Sequence, residues 1–143
     1  MTPGRGPFPV AGALAGGGSG PNGGSLVRYM LLIYGDENAL TQPEREDCYQ
    51  KSTGLANKLN SAGQYVAASP LQPTATATSV RVRAGKRLIT DGPFAETREQ
   101  LGGYFLIDAK DLEEAIAIAA EIPNASRGTV EVRPVVEIEG LPA

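Results

Sequence analysis

The sequence predicts an α+β fold in which two helices cover one face of an antiparallel sheet. Three observations carry that reading. Two segments, 41–62 and 111–122, open on capping signals and hold apolar residues at three- and four-residue steps. Short strand-like runs stand around them, either apolar throughout or alternating in polarity. The element order is β-α-β-β-β-α-β, with three strands in succession, which an all-parallel sheet does not allow.

Residues 1–27 come first and stand apart. They hold 9 of the 18 glycines and 4 of the 11 prolines, with Arg5 as their single charge. Such a segment buries too little apolar surface to offset the entropy of ordering it, so it reads as a flexible leader. Residues 8–15 resemble a signal peptide weakly, because Pro9 and Gly12 interrupt the apolar stretch and only Arg5 precedes it as a base. Composition changes abruptly at Val27, and the natural start is expected there or nearby.

Residues 28–143 form the expected domain, with 12 basic and 16 acidic side chains. That acidic balance argues against nucleic-acid binding, which needs a basic stripe. No run reaches the roughly 20 apolar residues of a membrane span. The lone Cys48 cannot form an intrachain disulfide and fits a reducing compartment, so the protein is expected in the cytoplasm.

Arg28–Tyr34 is a near-continuous apolar run ended by Gly35, the pattern of a central strand buried on both faces. Thr41 then caps a helix, with Glu44 completing a capping box and Pro43 in the first turn. Cys48, Ser52, Leu55, Leu59 and Ala62 form its inner stripe, and Gly63 stops it. Residues 64–77 read as irregular, broken by Pro70 and Pro73. Thr78–Arg83 alternates, with Val80 and Val82 on one face and Arg81 and Arg83 on the other. Ala84-Gly85-Lys86 is a hairpin turn, Arg87–Thr90 is the returning strand, and Asp91-Gly92-Pro93 closes it. Gly103–Ile107 is a further apolar strand. Asp111 caps the second helix, whose stripe is Leu112, Ala115, Ile116, Ala119 and Ile122, and Pro123 ends it. Thr129–Ile138 is the last strand, with Pro134 implying a bulge or an edge.

Setting one short hairpin strand aside leaves βαββαβ, the ferredoxin-like plan with an extra hairpin strand. Its second sheet face is left uncovered. An apolar sheet face needs a partner, and the economical partner is a second copy in a homodimer whose sheets meet face to face.

Three segments now resemble a known family. Tyr29–Glu37, the block Asp91–Asp108 (DGPFAETREQLGGYFLID) and Gly128–Pro134 (GTVEVRP) are similar in content and order to the DGPF (DGPFAETKE) branch of the YCII-related proteins. The resemblance covers about 28–136, with Arg98 where that branch usually shows Lys. It implies a dimeric α/β barrel of ferredoxin-like subunits. Genes of the branch often neighbour extracytoplasmic-function sigma factors, which implies a regulatory partner. The family's acid–base idea is a His–Asp pair in a cleft. This chain has no histidine, so that pair cannot exist here.

The candidate site residues each carry two readings. Asp91 is a turn residue accepting backbone N–H bonds, or a rigidly held carboxylate acting as base or ligand-orienting group. Glu96, Thr97, Arg98 and Glu99 form a solvated loop, or Arg98 or Glu96 reaches the partner subunit or closes over the cleft as a lid. Arg81 and Arg83, joined by Arg133, lie on a solvent face or form a site for a small anionic ligand. Tyr34 and Tyr104 are core aromatics, or place a hydroxyl near Asp91. Cys48 reads as a buried, inert thiol. Gly102-Gly103 permits a close backbone approach or a bulge and is no phosphate loop. No Cys/His cluster exists for a metal, an all-oxygen site at Asp36, Glu37 and Asp91 is weak, and no cofactor is indicated. Two functions remain: a non-catalytic ligand-binding or regulatory homodimer, and a lyase-, isomerase- or hydrolase-type enzyme using Asp91 with Arg83 and Tyr34.

Overall fold

The computed structural model describes residues 25–142, so the leader expected over 1–27 falls, but for its last residues, outside the described residues. The elements are β1 (Val27–Gly35), α1 (Gln42–Ser61), β2 (Tyr65–Pro70), β3 (Thr78–Arg83), β4 (Lys86–Asp91), β5 (Gln100–Ala109), α2 (Leu112–Ala120) and β6 (Thr129–Pro134). Short 3-10 turns occupy Thr74–Thr76 and Pro123–Ser126.

Local sequence explains the helices. In α1 the Thr41 hydroxyl accepts from the Glu44 N–H at 3.3 Å and the Glu44 carboxylate accepts from the Thr41 N–H at 2.8 Å, the expected capping box. In α2 the Asp111 carboxylate accepts from the Glu114 N–H at 2.9 Å, while Glu114 reaches back to the Lys110 N–H at 2.8 Å. The acidic first turn of α2 also suits the positive end of the helix dipole.

The strands divide into two antiparallel sheets. The main sheet has the order β2-β5-β1-β6, and β3 and β4 pair only with each other. The main sheet with its two helices is a mixed α+β arrangement compatible with the ferredoxin-like plan. One expectation needs correction: residues 64–77 are not irregular throughout. Tyr65–Pro70 supplies the edge strand beside β5, and both hairpin strands, rather than one, are the insertion. The last strand also ends at Pro134 instead of Ile138. Proline has no N–H to continue the ladder, although Val135 N–H still donates to the Arg28 carbonyl at 2.9 Å. Both edge strands of the main sheet thus finish on proline, at Pro70 and Pro134.

The helices pack on one face of this sheet. Tyr29, Leu31, Phe105 and Ile107 project from the central strands to meet Leu55 and Leu59 of α1 and Ala115, Ile118 and Ala119 of α2. Leu31, Ile107 and Ile122 are fully enclosed. Cys48 is buried beneath α1, as read. The stripe of α2 differs from expectation. Ile118 faces the core, whereas Leu112 and Ile116 are half exposed on the far side.

No helix or strand among the described residues covers the opposite face of the sheet. Strand pairing aligns Ser69, Tyr104, Leu32 and Glu131 in one row and Ala67, Leu106, Met30 and Arg133 in the next. Its apolar centre is Met30, Leu32, Tyr104 and Leu106, each half-buried by neighbours alone. The adjacent Arg28 guanidinium meets Asp108 in two contacts, 3.0 and 3.1 Å, which raises the Arg28 pKa further.

The double glycine serves both expected purposes. Ile33 pairs with Gly103 and Tyr34 with Leu101, leaving Gly102 as the extra residue of a bulge. A Cβ on Gly103 would stand 2.9 Å from the Ser69 carbonyl oxygen, so only glycine lets β2 approach so closely.

Candidate functional site

A shallow cleft of about 350 Å³ opens at the end of the main sheet where β1 leaves and β5 enters. Its walls come from three segments. Thr74 and Ala75 belong to the 3-10 turn, Asp91–Pro93 to the end of β4, and Ala95–Thr97 with Gln100 to the approach to β5. The main sheet is rigid here, but the cleft itself is built of loops, which must be tied down by side chains.

Those ties are identifiable. The Glu37 carboxylate accepts from the Thr74 N–H at 3.0 Å and also from the Thr74 hydroxyl. Gln100 accepts from the Glu37 N–H at 3.0 Å and donates to the Thr97 carbonyl at 2.6 Å. The Gly92 N–H donates to the Ala77 carbonyl at 2.7 Å, and the Ser79 hydroxyl to the Gly92 carbonyl at 2.8 Å. Gly92 has φ +103°, a conformation that strains any residue with a side chain, and this sets the turn in which Asp91 is held. Glu37, Thr74 and Gln100 therefore organise the cleft. Sequence reading missed these roles because Glu37 finds its partners Thr74 and Gln100 at 37 and 63 residues along the chain.

The structure places the candidate residues as follows. Asp91 lines the cleft, and among the described residues no group donates a hydrogen bond to its carboxylate. The turn-chemistry reading of its side chain is thus not realised. Glu96 is a second carboxylate in the wall, and among the described residues no Lys or Arg lines the cleft. Arg81 and Arg83 share a hairpin face, but Arg83 pairs with Lys86 at the tip while Asp91 pairs with Thr78 at the base. Five residues of extended strand separate them, roughly 17 Å. Arg98 is exposed and lies outside the cleft wall. Tyr34 and Tyr104 lie on the uncovered face of the sheet. The Tyr34 hydroxyl donates to Glu131 at 3.2 Å, and its pKa is raised by desolvation and then by that bond. Arg133 stands 3.9 Å from Glu131 on β6 of the main sheet, whereas Arg81 belongs to the separate hairpin sheet.

Within one protomer, then, Asp91, Tyr34 and Arg83 do not meet. The cleft presents two carboxylates and the side-chain oxygens of Thr74 and Thr97, a set that accepts hydrogen bonds and repels anions. Among the described residues no group of three or more acidic, His or Cys side chains is arranged to hold a metal ion. Asp36 is instead engaged with the Asn38 N–H and Glu37 with Thr74, so the oxygen site at Asp36, Glu37 and Asp91 is not formed. No helix among the described residues is long and apolar enough to cross a membrane.

Comparison with known proteins adds the following. Residues 27–139 match the YCII-related domain. An uncharacterised protein of Rhizobium meliloti (strain 1021) is 40% identical over 111 residues, covering 74% of this chain and 90% of that protein.

Proposed function

The chain belongs to the YCII-related family, and on that footing we propose that it is a non-catalytic, small-ligand-binding or regulatory homodimer of the DGPF branch. The observation that carries this is the uncovered sheet face with Met30, Leu32, Tyr104 and Leu106 at its centre. A half-covered apolar sheet is stabilised by a second copy laid against it, which would close a dimeric α/β barrel. The cleft supports a binding role. Its carboxylates favour a polar molecule that offers hydrogen-bond donors, whereas the sequence pattern pointed to an anion. The resemblance of 91–108 to the DGPF branch supports an extracytoplasmic-function sigma factor as the regulated protein, and the same reading puts the chain in the cytoplasm.

The second reading is an enzyme. Asp91 favours it, because a carboxylate free of internal hydrogen bonds on a rigid Gly-Pro turn is suited to proton transfer. Against it stand the lack of histidine in the sequence and a cleft wall whose other titratable group, Glu96, is a second acid and not a base of higher pKa or a cation.

The test is a thermal-shift screen of the full chain against amines, polyols and carboxylates, with Asp91→Asn in parallel. Stabilisation of wild type by a donor-rich compound, lost in Asp91→Asn and without turnover of the compound, is the expected result. Stabilisation only by anions, or conversion of the ligand, overturns the non-catalytic donor-binding reading.

A further inference from the structure

Among the described residues the β3–β4 hairpin pairs with no other strand, and one of its faces is self-complementary. Along β4 that face carries Arg87 near the tip, Ile89 in the middle and Asp91 at the base. Val82, Val80 and Thr78 stand opposite them on β3. Val80, Val82 and Ile89 are 59%, 59% and 58% exposed, a high value for three neighbouring apolar side chains. An isolated two-stranded hairpin is marginally stable in water, so this one is set to be covered.

Charge decides what covers it. Residues 78–90 carry Arg81, Arg83, Lys86 and Arg87 and no acid, while the rest of the described chain carries eight bases against sixteen acids. A polyanion such as nucleic acid or an anionic membrane would be drawn to the hairpin but repelled by the body behind it. A second copy presents both signs, a basic Arg87 row and an acidic Asp91 row, and so can match this face row by row.

We propose that the hairpins of two copies pack face to face about a two-fold axis that runs along the Val80–Ile89 row, perpendicular to the strands. This packing sets Arg87 of each copy against Asp91 of the other. The axis follows from the pattern: reversing the face end for end brings the tip row over the base row and leaves Ile89 opposite its own counterpart. Asp91 lines the cleft wall, so each copy supplies the other's cleft with the cation its own lining lacks. This contact deepens the reading of Asp91 as the working carboxylate of the cleft. It uses a surface separate from the main sheet face, so the two can be tested apart.

The test is performed with the full chain. In a Met30→Glu background, which removes sheet-to-sheet contact, sedimentation is expected to show residual self-association. Arg87→Asp or Asp91→Arg should each weaken it about tenfold or more, and the double exchange should restore it. Independently of folding effects, oxidation of Ile89→Cys should give a disulfide-linked dimer, while Arg81→Cys on the opposite face should not. Equal cross-linking of the two, or an exchange that restores nothing, overturns the pairing. Loss of sheet-mediated dimerisation alone, with Ile89→Cys still cross-linking, leaves this contact standing and removes only the sheet reading.

Discussion

The Glu37 carboxylate holds the Thr74 backbone N–H at 3.0 Å, fastening the loop after β1 to the 3-10 turn that walls the cleft. Two segments 37 residues apart are joined by this one side chain. Glu37→Ala strands the Thr74 N–H in a partly buried position and is expected to lower stability by about 2 kcal/mol. Glu37→Gln keeps the acceptor but loses the charge, and should lose roughly half as much. Urea unfolding of both variants checks the order.

Gly128 lies against the backbone of β1, where an added Cβ would stand 3.0 Å from the Gly35 Cα and closer still to the Tyr34 carbonyl oxygen. Backbone cannot swing aside as a side chain can. Gly128→Ala is expected to destabilise by about 1–3 kcal/mol. Gly102→Ala, whose Cβ would meet nothing nearer than 4.0 Å, should change stability little. The two variants, compared by thermal unfolding, separate close approach from any general effect of removing glycine.

Glu44 has its pKa lowered from the ordinary 4.5, first by its hydrogen bond to the Thr41 N–H and then by the Thr41 side chain. A depressed carboxylate adds stability that is present above the unfolded value and is lost as pH falls through the folded one. As pH is taken below the ordinary carboxylate value, the urea midpoint should therefore fall more steeply in wild type than in Glu44→Gln. A parallel pH dependence in the two proteins would show that the capping box is not ionised-state dependent.

Met30 stands between Leu106 and Arg133 on the uncovered sheet face. A charge there does not disturb the helix-side core, but it cannot be laid against a second apolar sheet. Met30→Glu is expected to keep its far-UV circular dichroism and to lose sheet-mediated dimerisation by sedimentation equilibrium. A lone wild-type protomer at micromolar concentration would already refute that dimer.

Much of the fold was legible from local chemistry. Thr41 and Glu44, Asp111 and Glu114, and the Gly85 turn act within a few residues, so their signals survive without knowledge of the whole. β2 was illegible for the converse reason. Tyr65-Val66-Ala67-Ala68-Ser69-Pro70 is small and ends on a breaker, and it is a strand only because β5 offers a ladder beside Gly103. In α2 the neighbours Ile116 and Ile118 both fit an apolar stripe, and only packing decided which one turned inward. The site was legible in part. Its turn singled out Asp91, which lines the cleft, but its separation from Arg83 depends on hairpin length, and the place of Glu37 on a contact across the chain.

The prolines that finish β2 and β6 also bear on solubility. An open sheet presents unpaired amide groups at each margin, and these are templates on which other chains can stack into fibrils. Here each margin stops at a residue without an N–H, so strand addition has few positions in register before it runs out of donors. The chain can thus hold a sticky broad side available for a specific mate while its narrow sides discourage indiscriminate polymerisation.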